Sequence, residues 1–533
     1  MSIFNEFPYT NIHELNLDWL IKAVKEAVTT IEHIGDNWEE KVKEDVDQWL
    51  TDHPEATTTI PDGSITINKF SNTLKLMTMK DYVTPEMYGA VGDGVTDDTA
   101  AVQAAVNTGM PVALLHLYKV SQQITDVSRL FNLSDDTAGI IWADNIGGYS
   151  NLMTLTTSRP VYISDVILNF GTQNTLRHSI TAENAAFVFM DNCVITGGYG
   201  YALKITGANN IYITNTDFKE ITGASGNPGG AIYGQSFHDL VVTGCSFKNI
   251  DDHAVYCAGD ASDIYNVAVA NCVMYGVGRA NLTNGAAIAL YANTHDVSVS
   301  GCTIVSAKSA VYAGKYGANL NTPYDVTITG CTMRTMTENG ILVDGLSGAK
   351  CVRITIDNCV LHSIAQDAIR LQHANHCNIA NNAIFNATRY GIVVGEGVYN
   401  FINGNNIRNA NDTGILIGYP NAADNNQICN NVVTTSSGTT GIYIRLSQAN
   451  RLFNNYVNGY TTNFVTGGVD EMNIASSTYQ KSIWFQTDPS AAQYHSVGDI
   501  VINASPSPGA TAAWICTAAG SPGTLKAIAT VAS

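Results

Sequence analysis

The sequence predicts an all-β protein whose body is a right-handed parallel β-helix with three strands per coil, led by an α-helical coiled-coil stalk and followed by a small C-terminal β module. Three observations carry that prediction: a short phrase that returns at coil-length intervals, a period of two inside each repeat, and a composition poor in charge. Of 533 residues only 14% are charged and 46 are Gly, whereas an ordinary globular protein carries roughly 25% charged residues. Much of the polar surface is therefore neutral amide and hydroxyl, groups that stack and hydrogen-bond to one another.

The decisive repeat is Asn/Gly-Cys/Asn-x-apolar, as in DNCVI, GCSFK, GCTIV, NNAIF and NNVVT. Its second position falls at Cys193, Cys245, Cys272, Cys302, Cys331, Cys359, Asn382, Asn405, Asn431 and Asn455, with Asp217 as the irregular member. The steps run from 23 to 30 residues and average about 26, the length of a solenoid repeat. A second phrase, Gly/Ala-Ile/Val-x-apolar, lies between them (AIYG, AVYC, GILV, AIRL, GIVV), and a third alternating run precedes each Cys or Asn (NVAVAN, DVSVSG, DVTITG). Three short strands per repeat, joined by Gly/Asn/Asp turns, make one coil of a parallel β-helix. Because coils stack about 4.8 Å apart, the six repeat-position cysteines should form one inward column that becomes an asparagine ladder from Asn382 onward. That placement makes them buried, reduced packing groups rather than ligands or nucleophiles.

Ahead of the repeats, Leu17, Ile21, Val24, Val28, Ile31, Trp38, Val42 and Trp49 follow steps of three and four, interrupted at Gly35 and Asp45. This is a heptad-like seam, expected to form a coiled-coil stalk in preference to a lone amphipathic helix on a globular core. Five regions follow: attachment segment and stalk at 1–60, a linker at 61–84, a cap and β-helix entrance at 85–160, the β-helix at 161–470, and the β module at 471–533. The net charge of −19 argues against nucleic acid as a partner, since phosphate binding needs clustered Lys and Arg. The sequence has neither a run of 18 apolar residues nor a basic leader ahead of an apolar core, so neither membrane insertion nor export by a signal peptide is expected.

Residues 85–106, PEMYGAVGDGVTDDTAAVQAAV, closely resemble the amino-terminal signature of the pectate-lyase-like superfamily, which includes phage tailspikes and relatives of polygalacturonase. In that family the segment forms the entrance to the β-helix, which makes Asp93, Asp97 and Asp98 structural. The opening FNEFPYTNIHELNLDWLIK resembles the amino terminus of phage tail appendage proteins, and DGSITINKF resembles the linker after such a stalk. The end of the chain, with Trp514 and Pro/Gly-rich turns, resembles small C-terminal β modules of phage fibres. More loosely it is similar to chitin-binding-type modules, although Leu525 stands where those often carry Trp, which favours trimer locking over sugar binding. The resemblance implies a homotrimeric virion protein, made in the host cytoplasm, attached through its N-terminus to phage tail or portal proteins, and directed at a bacterial cell-surface polysaccharide.

Function on a β-helix comes from outward side chains that align along one face. The third position of the Gly/Ala-Ile-x-Val phrase points outward and places Tyr233, Tyr256 and Tyr312 in one column with Leu342 and Arg370, an expected stacking platform for sugar rings. In the preceding turn, Glu338 and Asp367 fall on adjacent coils, close enough for the carboxyl separations of roughly 5–9.5 Å used by glycosidases. Lys308 and Arg370 would hold one of them ionised while burial keeps the other protonated. A rival site is Asp251-Asp252-His253, loosely similar to the paired aspartates of polygalacturonases but without their companion motifs; hydrolase ranks ahead of lyase because nothing in the sequence selects the residues a lyase needs. A lyase would need a base and a cation facing a uronate, for which Lys308, His295 and Arg370 are available. His373 and His376 form a His-x-x-His pair without further ligands nearby, so neither a metal nor another cofactor is expected. The leading function is a tailspike with polysaccharide depolymerase activity. Its alternatives are a non-enzymatic receptor-binding adhesin of the same fold and a structural virion spacer.

Overall fold

The structure is a computed structural model that describes residues 82–466, 483–486 and 497–531, less 135–136, 149, 158, 175–177, 224–228, 279–284, 316–320, 446–448, 504 and 521–522. The expected stalk and most of the linker lie outside the described residues. The body is a right-handed parallel β-helix of about 13 turns.

A representative coil consists of Ile341–Asp344, Cys351–Asp357 and Val360–Ile364. These three strands alternate buried residues with more exposed ones over much of their length, as period-two sequences do when one face meets a core. The third strands stack into a 15-stranded parallel sheet, and the first and second strands together form one of 27. Long strands such as Val255–Ala270 and Ile288–Ser300 join those two faces without interruption. Parallel stacking begins early, since Val112–Leu114 pairs with Arg129–Asn132 and Leu117–Val120 with Gly139–Trp142. The last coil strand is Thr462–Thr466.

The recurrent two-residue phrase encodes a corner. Its first residue (Asn192, Asn215, Gly244, Asn271, Gly301, Gly330, Asn358, Asn381, Gly404, Asn430, Asn454) has a positive φ on every coil, the left-handed conformation that Gly and Asn tolerate best. The second residue then points inward. Register places Cys193, Thr216, Cys245, Cys272, Cys302, Cys331, Cys359, Asn382, Asn405, Asn431 and Asn455 in one column. The irregular rung is thus Thr216, not Asp217. Asp217 begins the next strand and is exposed, while the Thr216 hydroxyl lies 3.4 Å from the Cys193 backbone N–H and accepts from it. Each column cysteine donates its thiol to the carbonyl two residues earlier, as Cys193 does to Asp191, and the Thr216 hydroxyl does the same to Thr214 O at 2.9 Å. Burial pushes the Cys193 thiol up to about 12, so it stays protonated and unreactive.

From Asn382 onward the same position carries an amide ladder. The Asn405 Oδ1 accepts from both the backbone N–H and the Nδ2 of Asn382 at 3.0 and 2.9 Å, and the Asn405 Nδ2 donates back to Ile379 O at 2.9 Å. The pattern repeats through Asn431 and Asn455. A second ladder, Asn400–Asn426–Asn450, starts from Cys377 at the corner before the second strand.

At the entrance a 3-10 turn (Pro85–Tyr88), a strand (Asp93–Asp97) and an α-helix (Thr99–Asn107) precede the first coils. Asp98 stands at the helix start, yet its carboxylate turns back to accept from the Val91 and Gly92 N–H groups at 2.8 and 3.0 Å. It pins the glycine turn rather than capping the helix, and Asp97 takes the Thr99 N–H at 3.1 Å instead. At the C-terminus Ile483–Gln486, Ile500–Asn503, Thr511–Ala518 and Thr524–Thr530 form a four-stranded mixed sheet.

Candidate functional site: a groove on the first-strand face

The outward column runs as the sequence predicts: Tyr233, Tyr256, Ala289, Tyr312, Leu342, Arg370, Val393, Leu416 and Tyr443 occupy equivalent positions on successive coils. Its two halves differ in character. Toward the N-terminus it is aromatic. Tyr233 stacks on Tyr201 at 4.4 Å between centroids, and Tyr256 and Tyr291 meet at 5.1 Å, with Tyr312 4.9 Å beyond. Ala289 leaves the gap that Tyr291, two residues further along its strand, fills with its ring. The result corrects the expected sugar platform: Tyr256 and Tyr312 are only 8% and 1% exposed, packed against one another. Tyr233 is half-buried, packed against the edge of the same cluster. Burial, reinforced by the nearby Asp344 carboxylate, raises the Tyr312 phenol well above its ordinary range.

The Asp251-Asp252-His253 cluster sits beneath these rings. His253 places Nδ1 2.6 Å from the Ala286 carbonyl on the next coil and Nε2 3.2 Å from the Asp252 carboxylate. Tyr256 packs edge-on against its imidazole at 4.7 Å. Asp252 and His253 are both buried, so a polymer on the surface does not meet them. Burial raises the Asp252 carboxyl; the His253 charge opposes the shift and Asp251 adds to it. Asp251 is half-buried and accepts from the Gly223 N–H at 3.2 Å.

Around Leu342 and Arg370 the face turns polar and open, before Val393 and Leu416 close it again as buried apolar residues. A groove of about 290 Å³ is lined by Asn339, Leu342, Asp344, Gln366, Arg370, Gln372 and Arg389, near the lower limit of ligand sites, roughly 300 Å³. Glu338 and Asp367 come to this place on neighbouring coils, one residue out of step: Glu338 aligns with Gln366 and Asp367 with Asn339. The offset separates their environments. Glu338 is partly exposed and lies 3.3 Å from the buried Lys308 ammonium. Asp367 is 0% exposed. Its Oδ1 accepts from Arg389 Nε at 2.7 Å, and its Oδ2 from Arg389 Nη2 at 2.6 Å and Arg370 Nη1 at 2.9 Å. A carboxylate so enclosed has neither a route to a glycosidic oxygen nor a spare lone pair aimed at one. Its geometry fixes two guanidinium groups in the groove, which is a correction to the expectation of a paired general acid and base.

Of the groove lining only Arg370 was expected as a site residue; Asn339, Leu342, Asp344, Gln366, Gln372 and Arg389 were not. Asp344 and Gln372 belong to the next outward position, two residues along the same strands, and the same period-two arithmetic reaches them. Beyond Gln372, His373 and His376 part company. His373 sits 3.2 Å from Glu396, whereas His376 stacks on Tyr399. Burial alone would raise the Glu396 carboxyl, but hydrogen bonds from Lys350, Ser347 and Asn421 prevail and hold it at about 2.

Fold and site together define a class: a β-helix solenoid with a polar groove on its first-strand face. The family model described as "Right handed beta helix region" matches residues 163–322, and that of "Periplasmic copper-binding protein (NosD)" matches 270–483. The residues present do not fit copper: the column cysteines lie one per coil, with their thiols turned to carbonyls, and among the described residues no three His, Cys, Asp or Glu side chains converge. The chain's curated relatives are phage capsule depolymerases. It is 32% identical over 27% of its length to the K30/K69-specific capsule depolymerase of Klebsiella phage K64-1, and 24% identical over 33% to the KN3-specific depolymerase 1 of Klebsiella phage KN3-1. These matches span 22% and 25% of the relatives' own lengths. Tailspike protein 3 of bacteriophage CBA120 has a similar solved structure, with 13% identity, TM-score 0.48, and coverage of 94% of this chain and 77% of that one.

Proposed function

We propose that this chain is a phage tailspike that binds a bacterial surface polysaccharide along the first-strand face and depolymerises it during adsorption. The observation that carries the proposal is the open polar groove at Leu342, Arg370 and Arg389, placed on a scaffold whose relatives are capsule depolymerases. Leu342 offers an apolar floor to a sugar's C–H face, while Asn339, Gln366 and Gln372 offer amides to its hydroxyls. Glu338 and Asp344 are partly exposed carboxylates at this end of the face and are the candidates for proton transfer. Asp367 positions the arginines, Lys308 holds Glu338, and Tyr233 is the half-buried ring offered to substrate. The expected assembly is a virion-attached homotrimer held by the N-terminal segment.

The adhesin alternative gains from the enclosure of Asp367, since that removes one half of the expected carboxylate pair. One experiment separates the two. The purified chain is incubated with capsular polysaccharides from candidate hosts, and new reducing ends and unsaturated sugars are measured, with Glu338→Gln and Asp344→Asn in parallel. Reducing ends without unsaturation, lost in either variant, are the expected result and mean hydrolysis. Unsaturated ends mean a lyase, and tight binding with no new ends means an adhesin.

A further inference from the structure

We propose that the groove selects a carboxylate-bearing sugar, a uronic acid or its like, and that Arg370 and Arg389 are the residues that recognise it. The inference rests on the reading of the groove as a glycan site and names the class of glycan. Two guanidinium groups converge on the single buried carboxylate of Asp367, so one positive charge in that trio has no counter-charge within it. Arg389 uses Nε and Nη2 on Asp367, and Arg370 uses Nη1 there and Nη2 on Gln372 at 3.4 Å. Among the described residues, Arg389 Nη1 and Arg370 Nε carry no hydrogen bond. Both arginines line the groove.

The acids closest to the arginines are matched elsewhere, and Asp412, which follows Arg389 on the next coil, forms no ion pair with either arginine among the described residues. Glu338 is matched by Lys308, and Asp344, the acid in the groove lining, lies 3.7 Å from the Lys315 ammonium. The remaining polar lining is amide. A cationic spot is notable in a chain of net charge −19, whose overall field repels a polyanion; only local guanidinium groups held in place overcome that repulsion. A buried carboxylate behind them supplies the rigidity, because an arginine fixed from the rear keeps its outer edge set for a planar carboxylate.

The test uses the full chain and defined monosaccharides, with binding read by saturation-transfer NMR titration. Glucuronate and galacturonate are expected to bind in the millimolar range and glucose not at all. Arg389→Gln and Arg370→Gln should each weaken uronate binding at least tenfold, with Arg389→Lys intermediate, while Arg353→Gln, in a remote exposed pair with Asp325, should leave it unchanged. Thermal melts of the variants separate a lost site from a lost fold, and Arg389, 40% exposed, is the variant least tied to folding. Equal binding of glucose and glucuronate, indifference to both arginine variants, or stronger binding of glycerol phosphate than of uronate would each overturn the inference. If a neutral host polymer were cut, and cut equally by Arg389→Gln, the acidic-sugar inference would fall and the depolymerase reading stand. If uronate bound in an Arg389-dependent way but no host polymer were bound or cut, the depolymerase reading would fall and the carboxylate site stand.

Discussion

Asp367 shows how much a single buried charge organises here. With Oδ1 held by Arg389 and Oδ2 by both Arg370 and Arg389, its replacement by Asn removes the anion and leaves two guanidinium groups facing each other. Breaking a fully buried pair costs about 3–5 kcal/mol; since both arginines can retreat to solvent, Asp367→Asn is expected to cost about 2 kcal/mol, visible as a lower thermal midpoint. It should also weaken glycan binding more than Glu338→Gln does, because the arginines lose their orientation. Equal binding by Asp367→Asn and the parent chain would remove its positioning role. The sequence placed Asp367 on the face and coil where the structure has the groove, because a column is set by backbone period alone. It did not reveal the side chain's direction, which depends on the one-residue offset from Glu338 and on Arg389 reaching across from the next coil. The tyrosines teach the same lesson. Their column is legible in the spacing of AIYG, AVYC and AVYA, but their burial depends on Tyr291 filling the gap at Ala289, a contact between two columns that no single period reports.

At the scale of the element, the corner explains why the repeat was readable at all. A left-handed residue followed by an inward hydrogen-bonding residue is a local requirement, so it leaves the same two letters on every coil, and Thr216 meets it with a hydroxyl although the phrase is broken there. The ladder makes a sharper demand than the cysteine half of the column. Asn405 is fully buried and satisfies the backbone N–H and amide of Asn382 as well as the Ile379 carbonyl. Asn405→Ala strands those groups, each buried unpaired group costing about 1–3 kcal/mol, and should lower the thermal midpoint strongly. Asn405→Cys should lose less, since a thiol occupies the same rung at Cys359 and donates to the carbonyl two residues earlier. Equal losses in the two variants would show that the rung is filled by volume and not by hydrogen bonding. The second ladder, Asn400–Asn426–Asn450, escaped the sequence reading because its phrase is present on only the C-terminal coils and its corner lies before a strand of variable length.

For the whole molecule, stability is close to a sum over coils and their nearest neighbours, so the ruler that found the fold also predicts how it can be edited. Removing residues 405–430 brings Asn431 into the rung below Asn382, because Asn405 and Asn431 are equivalent positions. The same cut removes Asn426 from the second ladder and joins Asn400 to Asn450, so both amide columns stay continuous. Asp367, Arg370 and Arg389 lie on retained coils. The shortened chain should therefore keep a β-rich circular dichroism spectrum and a cooperative melt, with uronate binding preserved within a few-fold. Removing residues 405–429 instead retains one extra corner residue and puts Asn430 in the rung. Every side chain of the following strand then reverses, sending Val433 outward and its exposed neighbours Val432 and Thr434 in toward the core. That version should aggregate or melt without cooperativity. If both deletions folded equally well, the columns would not be setting the register, and the placement of the groove by coil arithmetic would lose its basis.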